Sequence, residues 1–153
     1  MASTYSFLDT NVTMSGPGGS VNLGAGAAVA KEGITFTATS EINKMDIGAD
    51  GKGMHSLHAD KSGNVVVKLL KTSPMNSALN QMYISQTSSA SLHGQNHITL
   101  NNPATGDNVT CEGVAFKKAP DLTYAEDGGT NDWEFHAIAI TRTLGNGSSL
   151  GQL

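Results

Sequence analysis

The side chains with most capacity for chemistry lie between Gly48 and Asn64, where GADGKGMHSLHADKSGN gathers four glycines, two histidines, two aspartates and two lysines. Asp46, Gly48, Asp50 and Gly51 echo the start of a calcium hand, in which oxygen ligands recur at every second residue and a glycine permits the sharp turn. The echo breaks at Gly48, which supplies no ligand at the third position, and at Leu57, which stands at the twelfth where a bidentate Glu is required. His55 and His58 are three apart, and His93 and His97 four apart. On a helix such spacings bring two imidazoles to one metal, but neither pair lies in a helical pattern, and along a strand residues three apart face opposite sides. With no cysteine pair and no His-Glu-x-x-His segment, the sequence assigns no metal and no cofactor.

Other matches to catalytic patterns are incomplete. Gly147-Ser-Ser-Leu-Gly151 spells a nucleophile elbow, yet that motif needs a strand before it, a helix after it and Asp and His partners later in the chain. Four residues from the end of the sequence, none of these is available. The glycine-rich stretches at 16–19, 24–26 and 51–53 fail as phosphate cradles, because Val21, Val29 and Ser56 stand where the third glycine of G-x-G-x-x-G belongs. Glu126, Asp127, Asp132 and Glu134 cluster around a hairpin and could pair for hydrolysis, but a solvated turn accounts for them better, because nothing in the sequence identifies a neighbouring pocket. The sequence therefore predicts no enzyme.

The elements that would position these residues read as a turn-rich β protein. The chain has 153 residues, 14% of them charged and 5% aromatic, with 18 glycines. That length suits one domain, which on folding removes roughly 70% of the unfolded chain's surface from water. In 5–14, alternation places Leu8, Val12 and Met14 on one face of a strand. Short strands follow at 20–23, at 33–39 (with Ile34, Phe36 and Ala38 on one side), at 45–47 and at 64–71. Ser73-Pro74 is a helix start, and Met75, Ala78, Leu79, Met82, Tyr83 and Gln86 form a stripe of helical period behind it, predicting one helix over about 74–87. Strands at 96–101 and 108–116 flank the turn-forming Asn102-Pro-Ala-Thr-Gly-Asp107, a hairpin signature. A last pair is expected from 122–125 and 132–143. Residues 48–64 read as a glycine-rich connection between strands, and 146–153 as a flexible tail.

The net charge of −4 offers no basic stripe for nucleic acid. Cys111 is the single cysteine, and no segment approaches the ~20 apolar residues needed to span a bilayer. The sequons at Asn11, Asn108 and Asn146 stand behind no secretory leader. So much glycine-rich, uncharged connection on a modest core would be left mobile by an isolated subunit, at an entropic cost that a neighbouring copy could offset. A different class of reading is a monomeric β-sandwich that binds carbohydrate, with Trp133 or Tyr124 as the stacking platform.

Taken together, TYSFLD…GPGGSVNLGAGA, IGADGKGMHSLHADKSG, VKLLKTSPMN and KAPDLTYAEDGGTNDWEFHAIAITRTLG resemble the bacteriophage structural proteins that form the inner tail tube of contractile-tailed phages. The resemblance extends from about residue 5 to 145, and its words are segments in order and not chemical motifs. It implies a single all-β domain over 1–145, a barrel-like sandwich with one flanking helix, of the type shared with type VI secretion tubes. It further implies hexameric rings of identical subunits stacked into a hollow tube, contacted by sheath, baseplate and terminator proteins. The tube would be assembled in the host bacterial cytoplasm and carried in the virion tail. In such folds the long early loop reaches a neighbouring subunit or the next ring, which by position nominates residues 42–64 here, with Met45, Asp46, Asp50, Lys52, Met54, His55, His58, Asp60 and Lys61. Six copies of a −4 chain would carry about −24 per ring, so a lumen of that sign lets DNA slide without binding it. Asp107, Glu112 and Glu134, on or beside strands, are the candidate lumen carboxylates.

Overall fold

The computed structural model describes residues 5–24 and 29–145; the residues read above as a tail, 146–153, lie outside the described ones. Among the described residues there are ten strands and one α-helix: β1 (Asn11–Gly16), β2 (Gly19–Asn22), β3 (Val29–Ala38), β4 (Asn43–Ile47), β5 (Gly53–Leu57), β6 (Gly63–Leu70), α1 (Met75–Thr87), β7 (Asn96–Asn102), β8 (Asp107–Lys118), β9 (Thr130–Ala137) and β10 (Ala139–Thr143). Eight strands form one antiparallel sheet in the order β2-β1-β7-β8-β9-β6-β3, with β10 also paired to β8, while β4 and β5 pair, among the described residues, only with each other.

The long strand β8 joins the two halves of the sheet. Its first part pairs with β7 and β10, its second with β9. Opposite His97 the register slips, so that Glu112 and Gly113 together face one residue of β7. Such a bulge bends a strand and increases its twist. Gly113 has φ +61, and a Cβ there would lie 2.8 Å from Ile138 Cδ1. That crowding coincides with the break between β9 and β10, so the single strand expected over 132–143 starts at Thr130 and is interrupted at Ile138.

Both halves turn the same side of their pleat to one core. Val12 and Met14 of β1, Val65, Val67 and Leu69 of β6, Ile98, Cys111, Val114 and Phe116 of β7 and β8, and Trp133, Phe135 and Ala137 of β9 are buried at alternate positions. Full burial of each large side chain is worth about 1.5–3 kcal/mol. Phe116 anchors the aromatic part, with centroids 4.9 Å from Phe135, 5.9 Å from Trp133 and 5.5 Å from Tyr83 of the helix.

Helix α1 begins one residue later than the sequence suggests, with Ser73 Oγ accepting from Met75 N at 3.2 Å. The expected stripe faces the core: Leu79, Met82 and Gln86 are buried, and Met75, Ala78 and Tyr83 pack beside them. No charged residue occurs in its thirteen. Gln86 forms a reciprocal amide couple with Asn96: Gln86 Nε2 donates to Asn96 Oδ1 at 2.7 Å, and Asn96 Nδ2 donates to Gln86 Oε1 at 2.6 Å. The remaining amide protons reach Pro17 O at 2.7 Å and Val114 O at 3.1 Å. Helix, β1–β2 turn and the bulged part of β8 are thereby tied at one buried point. Gly16 has to be glycine, since a Cβ there would fall on Asn96 Oδ1.

Two expectations are corrected. Leu8 does not share a face with Val12 and Met14: residues 7–9 form a 3₁₀ turn and Leu8 is 80% exposed. Ser6 Oγ accepts from Leu8 N, and Ser6 O and Phe7 O accept from Asp9 N and Thr10 N, a local arrangement that competes with strand pairing. Residues 122–125 form no strand, and Leu122 and Tyr124 are exposed. Both edges of β9 are already filled, by β6 and by β8, so no edge is left for them. Ile34 and Phe36 pack on the core as expected, whereas Ala38 is exposed.

Candidate functional site

The glycine-rich segment is a self-paired hairpin where an open loop was expected. In register, Asn43 faces Leu57, Met45 faces His55 and Ile47 faces Gly53, while Lys44 faces Ser56 and Asp46 faces Met54. Directly opposed residues share a face. One face of the hairpin therefore carries Met45, Ile47, Leu57 and His55, the other Lys44, Asp46, Met54 and Ser56. Met45, Ile47, Met54 and Leu57 are 58%, 58%, 59% and 84% exposed, and none joins the core.

The five-residue connection 48–52 explains the calcium-like pattern. Gly48 N donates to Lys52 O at 2.7 Å, Gly51 N to Gly48 O at 3.0 Å, and Asp50 Oδ1 accepts from Lys52 N at 3.2 Å. Gly51, at φ +87, takes the left-handed position such a turn demands. Asp50 and Lys52 sit at this tip. At the base, His58 N donates to Ile42 O, and Asp60 and Lys61 lie on the limb returning to β6.

The histidines do not converge on one another as ligands. Asn43 Nδ2 and His55 Nδ1 are 3.2 Å apart on the hairpin, His58 lies at the base, and His93 and His97 are exposed elsewhere. Among the described residues, no three His, Cys, Asp or Glu side chains group to hold a metal ion. Trp133 is not a stacking platform: it is 2% exposed and its Nε1 donates to Asn76 Oδ1 at 3.0 Å. Tyr124 is exposed but lies under Lys71, whose Nζ is 3.8 Å from the ring centroid and also bonds Thr123 O.

The carboxylates occupy different settings. Asp107 is half-buried and accepts from Gly145 N at 2.9 Å, which fixes the end of the C-terminal strand segment. Glu112 is exposed at the bulge of β8. Glu134 lies on the outward side of β9, beside Asp132, which is 3.8 Å from Lys68 Nζ; with Lys118 and Asp121 they line an open concavity of about 520 Å³. The two ion pairs found among the described residues, Lys68–Asp132 and Lys118–Asp121, leave the hairpin's aspartates and lysines out.

The two ends of the main sheet are unequal. Four-residue β2 closes one side and ten-residue β3 the other, each paired along a single edge among the described residues. An unpaired edge is a template for another chain. Sequence reasoning missed Ile47 and Leu57 as part of the projecting apolar face. The signal is present: GADGK between the two short alternations NKMDI and GMHSL is a hairpin pattern.

No curated protein matches the chain in sequence. Solved structures that share the fold include a chain of the anti-feeding prophage baseplate, 6-fold symmetrised (TM-score 0.58, 10% identity, 94% of this chain and 97% of that one). Another belongs to the anti-feeding prophage cap, described as a tube terminating cap (TM-score 0.54, 11% identity, 94% and 95%). A third comes from the sheath–tube complex of an extracellular contractile injection system in its extended state (TM-score 0.52, 10% identity, 87% and 88%). The family model described as bacteriophage PhiTE tail tube protein matches residues 1–145. With nearly the whole length matched and an all-β, one-helix fold of the same kind, the chain belongs to this phage tail tube family, as a structural subunit of the tube.

Proposed function

We propose that the subunits form hexameric rings stacked into a hollow tail tube whose lumen conducts DNA at ejection. The observation that carries this reading is the β4–β5 hairpin, an ordered, apolar-faced element that its own subunit leaves unburied. An exposed face of this kind marks an interaction site. Its occupant is a neighbouring copy, with Met45, Ile47, His55 and Leu57 in the contact, Met54 and Asp46 on the reverse face, Asp50 and Lys52 at the tip, and His58, Asp60 and Lys61 at the base. The free edge of β3 supports strand pairing around the ring, a head-to-tail contact that closes by rotation, while stacking extends the filament.

Glu112 and Glu134 are the carboxylates proposed to face the lumen; Asp107 belongs to the same proposal, although its bond to Gly145 N gives it a local role as well. A negative wall keeps DNA gliding. Sheath, baseplate and terminator proteins complete the assembly, in a contractile tail built in the bacterial cytoplasm and carried in the virion. Trp133's burial and the Lys71 ammonium over the Tyr124 ring weaken the support for a carbohydrate module.

Electron microscopy of concentrated protein is expected to show rings or tubes. Met45→Asp with Leu57→Asp should abolish them without changing unfolding of the free subunit. Tubes formed by that double variant would refute the hairpin contact, and a strictly monomeric wild type at high concentration would refute the whole reading.

A further inference from the structure

The hairpin leaves the body on two limbs, residues 39–42 outward and 58–62 inward, and its direction depends on what ties them. Backbone bonds do so at two levels, Thr39 N to Ser62 O at 3.1 Å and His58 N to Ile42 O at 2.8 Å. Between these levels the Asp60 carboxylate accepts three bonds: from Ser40 Oγ at 2.7 Å, from Ser62 N at 2.9 Å and from Ser62 Oγ at 2.6 Å. The Ser40 bond is a side-chain link from limb to limb. The returning limb is also fixed to the body, since Ile140 N of β10 donates to Lys61 O at 3.0 Å. With one limb anchored, the position of the other sets the projection of the hairpin.

We propose that Asp60 is a positioning residue, which clasps the outward limb to the anchored one and so presents the apolar face of β4–β5 to a second copy of this chain in a single direction. The proposal rests on the hairpin contact argued under Proposed function. Its physical content is entropic as well as geometric: a hairpin free to swing on its limbs would have to be ordered on every association, and prior ordering removes that cost. The clasp is also a charged one. Bonds from the Ser62 and Ser40 hydroxyls and from Ser62 N, with a smaller contribution from nearby His58, hold the Asp60 carboxyl at about 2, below its ordinary 3.8. Lys61 and Arg142 line the groove on the same side, and Glu41 and Lys44 line the next one with His58. Because the folded value is depressed, the clasp is fully present above pH 3.8 and fails as pH falls through about 2. At neutral pH it is fixed and does not act as a switch.

The test uses the full chain, with Asp60→Asn, Ser40→Ala and Ser40→Thr. In dilute free subunits, amide exchange at Thr39 and His58 should quicken roughly tenfold in Asp60→Asn and Ser40→Ala, as loss of a charge-assisted bond implies. It should not change in Ser40→Thr, which keeps the hydroxyl. Gly48, at the hairpin tip, should stay protected in all three. The concentration needed for self-association should rise several-fold in the first two variants only, with the Trp133-monitored unfolding midpoint unchanged. Unaltered exchange would overturn the clasp, and altered exchange with wild-type association would show that direction is not read. A fall in the unfolding midpoint matching the loss of association would return Asp60 to a plain structural role. Met45→Asp/Leu57→Asp separates the two ideas, because association by that variant would sink the hairpin contact while leaving the exchange result standing.

Discussion

Asn96→Ala should be among the most damaging substitutions that leave the apolar core intact. The change removes both Asn96 Nδ2 bonds and the Oδ1 acceptor, leaving Gln86, fully buried, with only its bond to Pro17 O. Gln86 Oε1 loses its partner and Val114 O loses a donor. Each buried group so orphaned costs about 1–3 kcal/mol, giving about 2–5 kcal/mol in all, or roughly 5–15 °C in midpoint for a chain of this size. Equilibrium urea unfolding followed by the fluorescence of the chain's single tryptophan, Trp133, measures it, at concentrations low enough that association adds nothing. The cycle with Gln86→Ala should be strongly non-additive, by about 1–3 kcal/mol, because the second truncation removes a group already unpaired. Gly16→Ala should overlap with Asn96→Ala in the same way, since its methyl displaces the same oxygen. A loss below about 1 kcal/mol for Asn96→Ala, or strict additivity, would refute the argument that this couple ties helix to sheet.

Gly113→Ala places a methyl 2.8 Å from Ile138 Cδ1 at φ +61, and should destabilise by about 1–3 kcal/mol; Ile138→Ala should return part of that in denaturant melts. Cys111, fully buried, has its thiol pushed up from 9.0 to about 11 by burial against a weaker opposing pull from Arg142. Alkylation at pH 8 should therefore proceed at the rate of opening, and stability should hold up to pH 9.0 and then decline towards pH 11, as the unfolded chain alone ionises. A Cys111 that reacts as fast as a free thiol would contradict this. Trp133→Phe should cost about 1–3 kcal/mol by leaving Asn76 Oδ1 without its donor, a loss to be followed by circular dichroism; an unchanged midpoint would refute the pairing.

How far the sequence reveals this fold follows from the range of the forces involved. Helix α1 was legible because its apolar positions repeat at its own period and Ser73-Pro74 marks its start, both of them local facts. The β7–β8 hairpin was legible from its turn residues. Leu8 misled because alternation alone ignores Ser6, whose hydroxyl bends the chain back two residues later. The 122–125 error is of another kind: whether a strand forms there depends on β6 having already taken the edge of β9, and the two are far apart in sequence. The hairpin was half visible. Its glycines and aspartates resemble a metal loop, and its apolar residues, which stay outside the core, give the pattern of a strand without saying what it would lie against. Asp60 was nominated only as a member of the loop, since its bond to Ser40 spans twenty residues.

The exterior of α1 carries no charged side chain. Ser77, Asn80, Gln81, Ile84, Ser85 and Thr87 are exposed, and the helix bears no formal charge at either end. Between about 0.01 M and 1 M salt the Debye length shrinks from roughly 30 Å to 3 Å, yet this flank offers those ions no formal charge to screen. A protein resting on it through amides and hydroxyls would keep its grip in fresh water and in brine alike.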